Sequence, residues 1–128
     1  MSSHQSLGNA VVDREKLLEN LGGDHELLLE LLSIFTAETG PLLAAVQEAA
    51  RGNDVAALEH AAHALKGSVG VFGAQAAADA SQTLELMGRN HDLANADDCC
   101  SLLELELARL GIELAQIERD IRAEDLVS

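Results

Sequence analysis

Ala96, Cys100, Leu103, Leu107, Leu110, Leu114, Ile117 and Ile121 recur in unbroken steps of four and three, with polar residues filling the intervals. Such steps return side chains to one face of an α-helix. They predict a long helix from about Leu93 to Ile121 whose apolar seam faces a helical partner. Upstream, Leu28, Leu32, Phe35, Thr39, Leu42, Val46 and Ala49 follow the same alternation and keep phase across Gly40 and Pro41. This predicts one helix from about 24 to 51, bent at the proline, with Asp24 as its cap. Two helices broken at Pro41 are the alternative, because proline removes a hydrogen bond and crowds the preceding turn.

Between these segments, "RGND" reads as a turn with Asn53 or Asp54 as cap, and the helix after it carries a stripe of Leu58, Ala62, Leu65, Val69 and Phe72. Gly73 is the expected stop. An alanine-rich helix from Ala74 to about Gly88 follows, with Ala77, Ala80, Leu84 and Met87 inward, and "GRNHD" forms the next turn. A short helix from Asp13 to Leu21, closed by Gly22 and Gly23, precedes the four long ones. The expected fold is therefore all-α: an antiparallel four-helix bundle over residues 11–122 with a short additional N-terminal helix. Residues 1–10 read as a disordered leader or linker and 123–128 as a frayed tail. No solenoid-length repeat occurs.

Composition agrees with a single helical core. The 128 residues are 48% hydrophobic, with one proline, two phenylalanines and neither tryptophan nor tyrosine. A formal net charge of −14, with only eight Lys and Arg, argues against nucleic acid and anionic membranes as partners. Cys99 and Cys100 are adjacent, so a disulfide between them would be strained, and a reducing cytoplasm is the expected setting. Neither a signal peptide nor an uninterrupted apolar run near the ~18 residues of a bilayer span is visible. The cytoplasmic part of a membrane-bound kinase would look the same.

The chemistry concentrates in "HAAHALKGSVGVFGA", residues 60–74. Glycine within a helix costs roughly 1 kcal/mol relative to alanine, so Gly67 and Gly70 sacrifice stability for space. With the apolar stripe at zero and about 100° per residue, His63 falls near 140°, Lys66 near 80°, Gly67 near 180° and Gly70 near 120°. The imidazole therefore points out of the core, with an ammonium at i+3 and cleared backbone at i+4 and i+7. A solvent-facing imidazole is a nucleophile near neutral pH, and a neighbouring lysine suits a phosphoryl anion. No phosphate loop, kinase motif or nucleophile elbow accompanies it. The site is thus half of one, completed by a docking protein that brings the metal and the second phosphoryl acceptor.

At this point "HALKGSVGVFGA" resembles the motif of the histidine-containing phosphotransfer (HPt) domain, matching at His63, Leu65, Lys66, Gly67, Ser68, Gly73 and Ala74. The resemblance implies a phosphorelay intermediate whose His63 accepts a phosphoryl group from a receiver-domain aspartyl phosphate and passes it to another receiver. It further implies that Lys66 meets the phosphoryl group and that Gly67 leaves room for the receiver, on a docking face with His60, Ser68 and Gly70. Glu85, 22 positions after the histidine, occupies the family's Gln or Glu position beside the imidazole, with Gln82 one turn away as a second candidate to orient the ring. Mg²⁺ is expected from the receiver, and neither a cofactor nor ATP-dependent kinase activity from this chain itself. Response-regulator receivers, or a hybrid histidine kinase in cis, are the implied partners.

Phe72 stands where leucine is common and is similar to the corresponding domain of chemotaxis kinases. The segments "LELMGRNHDL" and "DREKLLENLGGDHELLLELLSIF" are more similar to the C-terminal module of hybrid sensor kinases. Two further readings compete: a structural or adaptor bundle with a degenerate motif, and a metal site at Glu59, His60 and His63. The second lacks inward ligands from several helices.

Overall fold

The computed structural model describes residues 11–127. They form α1 (Arg14–Asn20), α2 (His25–Arg51), α3 (Val55–Gly70), α4 (Gln75–Arg89) and α5 (Ala96–Val127). Helix α3 packs on α2 and α4, and α5 closes the ring against both α2 and α4. The connections at 52–54, 71–74 and 90–95 are short, so consecutive helices run antiparallel. This is the expected four-helix bundle with one short leading helix. The expectation for residues 1–10 lies outside the described residues.

Aspartate starts three of the helices. The side chains of Asp13, Asp24 and Asp54 accept from the backbone N–H groups of Lys16, Leu27 and Ala57 at 3.0–3.1 Å. Each such cap stabilises by about 1 kcal/mol. Asp54 rather than Asn53 caps α3, because Asn53 takes the left-handed turn position at φ 54°.

All eight seam residues of α5 are buried, as are Leu58, Ala62, Leu65, Val69 and Phe72. Phe35 and Phe72 meet edge to face, with ring centroids 5.3 Å apart. In α2 the stripe is only half-buried at Thr39 and Leu42, and Pro41 sits exposed within one continuous helix. By length and composition α2 would suffice to cross a bilayer, with a mean hydropathy of 1.5 in an 18-residue window. Counting uninterrupted runs misses this, because Thr36, Glu38, Thr39 and Gly40 divide its apolar stretches. Its Leu28, Leu32, Phe35 and Val46 belong to the bundle core.

Three boundaries differ from expectation. Helix α3 ends at Gly70, and the chain turns through Val71 and Phe72 before Gly73 adopts φ +67°. Helix α5 starts at Ala96 rather than Leu93, because the Asp92 side chain accepts from the Ala94 N–H and holds a turn. At its other end α5 runs on through Val127, where a frayed tail is expected from 123. No glycine or proline interrupts residues 122–127, and Asp125 and Glu124 are tied to His25 and Arg14. Glu113 fastens the chain ahead of α1, accepting from the Val11 and Val12 N–H groups at 2.7 and 2.9 Å.

Candidate functional site

Helix α3 presents one uninterrupted exposed row: His60, His63, Gly67 and Gly70. A Cβ added at either glycine would meet nothing within 4 Å, so the clearance there is not filled by the bundle itself. The His63 side chain is 68% exposed. Ser68 departs from the expected face: at about 100° per residue it lies about 140° round the helix from His63, and its hydroxyl turns to Glu38 of α2 at 3.5 Å.

Beneath His63 lies Glu85 of α4, a buried carboxylate whose side chain is only 4% exposed. Small residues bring it there. Ala77, Ala80, Ser81 and Gly88 line the buried face of α4, and at Gly88 the helices nearly touch. A Cβ at Gly88 would lie 2.7 Å from the Val55 carbonyl oxygen and 2.8 Å from the Glu59 nitrogen. This close approach, one turn from Glu85, lets the carboxylate reach across to α3.

The imidazole Nδ1 stands 2.8 Å from Glu85 Oε2. An ionised carboxylate can only accept, so the hydrogen bond requires the proton on Nδ1 and leaves the Nε2 lone pair facing solvent in the neutral ring. Lys66 Nζ lies 2.8 Å from the other oxygen, Oε1, as an ion pair. The Lys66 ammonium holds the Glu85 carboxyl below its ordinary pKa; burial opposes it, and the His63 hydrogen bond adds to the lowering. Glu85 therefore stays an acceptor at neutral pH.

Arg89, not singled out in the sequence, joins this cluster together with Glu59, which the sequence offered only as a metal ligand. Arg89 Nη2 donates to Glu85 Oε2 at 3.0 Å, and its Nε donates to Glu59 Oε2 at 2.9 Å. With Ala56 and His60 they line an open cleft of about 430 Å³ beside His63. The i, i+4 spacing of Glu85 and Arg89 was the signal available for one of these pairs. Gln82 is not brought to the imidazole; it is exposed on α4, and the ring's hydrogen bond goes to Glu85. Among the described residues, no group of three or more His, Cys, Asp or Glu side chains is placed to hold a metal ion. Cys99 and Cys100 are free thiols, half-buried and buried.

An all-α bundle bearing a solvent-facing imidazole, braced from below by a buried carboxylate and flanked by a lysine, is a scaffold for carrying a group rather than enclosing a substrate. The family model of the Hpt domain matches residues 30–113, and the chain belongs to that family. It is similar over 88% of its length to the crystal structure of histidine-containing phosphotransfer protein B (HptB) from Pseudomonas aeruginosa PAO1, at 25% identity. The match covers 97% of that chain with a TM-score of 0.80. No curated protein sequence matches. The chain is thus a histidine phosphotransfer domain of two-component phosphorelays, a family whose partners are receiver domains.

Proposed function

We propose that His63 is the phosphoacceptor and that it exchanges phosphate reversibly between receiver domains. The observation that carries this is the hydrogen bond from His63 Nδ1 to the buried Glu85, which leaves Nε2 as the free nucleophile on a ring 68% exposed. In the forward step the Nε2 lone pair attacks the phosphorus of an aspartyl phosphate. The N–P bond forms as the P–O bond to the receiver breaks, and its electron pair returns to the aspartate carboxylate. The ring keeps its Nδ1 proton and gains a positive charge, which Glu85 stabilises. Transfer to a second receiver reverses these bond changes.

Lys66, 33% exposed and three residues from His63, turns to the phosphoryl oxygens. Gly67 and Gly70, with His60 at the rim, receive the surface of the receiver, which supplies Mg²⁺ and the in-line geometry. The chain needs neither ATP nor a cofactor of its own, and the reaction belongs in the cytoplasm. Cognate receivers act in trans, or in cis where the domain is joined to a hybrid kinase.

Incubation with a ³²P-phosphorylated receiver domain labels this chain with acid-labile, base-stable phosphate. His63→Gln abolishes the label while the helical circular dichroism is unchanged. Label surviving that substitution would place the acceptor elsewhere.

A further inference from the structure

Glu85 is held from three directions, and its holders differ in kind. Lys66 alone contacts Oε1, at 2.8 Å. Arg89 donates to Oε2, the oxygen that also accepts from His63. Its guanidinium is fixed at a second point, because Nε donates to Glu59 on α3. Arg89 therefore bridges α4 to α3, whereas Lys66 is tethered only by its own flexible stem.

We propose that Arg89, anchored by Glu59, is the positioning residue that keeps Glu85 Oε2 on the Nδ1 proton of His63 while Lys66 leaves Oε1 for the phosphoryl group. This rests on the phosphoryl role given to Lys66 above. Once Lys66 departs, Oε1 has no other partner among the described residues, and only contacts at Oε2 fix the carboxylate plane. That is the moment at which the ring becomes cationic and its bond to Oε2 becomes charge-assisted at both ends. Because Nε is held by Glu59, the planar guanidinium aims its single Nη2–H at Oε2 in a fixed direction, which an ammonium on a free stem does not. Dividing the labour between two cations frees one to move.

The test uses the full chain with a phosphorylated receiver as donor, comparing Arg89→Gln, Arg89→Lys and Lys66→Ala. Ring ¹⁵N NMR of His63 and the transfer rate are measured for each. In Arg89→Gln the unphosphorylated protein keeps a protected Nδ1–H, because Lys66 still holds Glu85. Its phosphorylated form loses that protection, and transfer slows about tenfold, the scale of one charge-assisted hydrogen bond. Arg89→Lys restores part of the rate. Parent-like transfer in Arg89→Gln with Nδ1–H protected in both states overturns the inference, provided Lys66→Ala is slowed. If Lys66→Ala itself transfers like the parent, the phosphoryl role of Lys66 falls, and this inference with it.

Discussion

Two glycines on adjacent helices should respond to alanine with opposite signs. At Gly67 a methyl group meets nothing within 4 Å, so Gly67→Ala gains helix propensity without a steric penalty. The gain is about 0.8–1 kcal/mol, and for a domain of this size it raises Tm by about 4 °C. At Gly88 the same gain is opposed by backbone atoms of α3 at 2.7 and 2.8 Å, which cannot rotate away as a side chain could. The helices must separate, and overpacking of this kind costs about 1–3 kcal/mol. Gly88→Ala should therefore lose up to about 2 kcal/mol, as the difference of these terms. Urea titrations followed by circular dichroism measure both. Function separates them further: Gly67→Gln fills the docking row and should slow transfer from a receiver while leaving stability at or above that of the parent. Equal shifts of one sign at the two positions would refute the packing account, and unimpaired transfer by Gly67→Gln would refute the cleared docking row.

The lowered pKa of Glu85 sets a pH dependence. Its contribution is fully present above the unfolded-chain value of about 4.3 and is lost as pH falls through the lower folded value. The stability gap between parent and Glu85→Gln should stay constant from pH 7 to about 5 and shrink below about pH 4 in urea titrations. The thiols behave oppositely. Burial, with Asp97 beside it, pushes the Cys100 thiol up, and burial with Asp98 does so for Cys99. Both should therefore react slowly with a chromogenic disulfide at pH 8 until the chain is unfolded. Their share of stability is present below an unfolded value of about 8.5 and declines as pH rises through the folded ones.

The bundle was legible wherever the apolar period was unbroken. All eight seam positions of α5 and the whole stripe of α3 through Phe72 are buried because each helix faces one core along its entire length. Helix α2 was less legible, because a stripe that passes Pro41 on the outer side of the bundle need not be covered, and Thr39 and Leu42 are only half-buried. Helix ends shifted where a side chain intervened, as Asp92 does before α5. At the site, periodicity alone placed His63 outward, since a single helix fixes its own faces. Glu85 entered only through family resemblance. A carboxylate on a period-matched inner position reads as an error in one helix, and it becomes intelligible only when Lys66, His63 and Arg89 converge on it from two helices. Glu106, buried on α5 with Arg109 one turn along the same helix, was not singled out either.

The features of the site that cost stability lie together on α3 and α4: Gly67 and Gly70 in the second half of α3, and a buried carboxylate under an exposed ring. On the proposed function, each does what alanine or leucine could not. Side chains in place of the glycines would fill the row offered to a receiver, and an apolar residue in place of Glu85 would remove the hydrogen-bond partner of His63 Nδ1. The stabilising features lie off that exposed row, in the α5 seam, the aspartate caps at the helix starts and the Glu113 clasp on residues 11 and 12. Such separation matters for a group carrier. Its reactive face must be open to a succession of partners and so cannot be stabilised by contacts of its own; rigidity has to reach His63 from behind, through Glu85 and the tightly packed α3–α4 pair. The Gly88 contact is therefore a structural condition for the proposed nucleophile, because it holds the two helices close enough for one buried carboxylate to serve a ring on the outer surface of its neighbour.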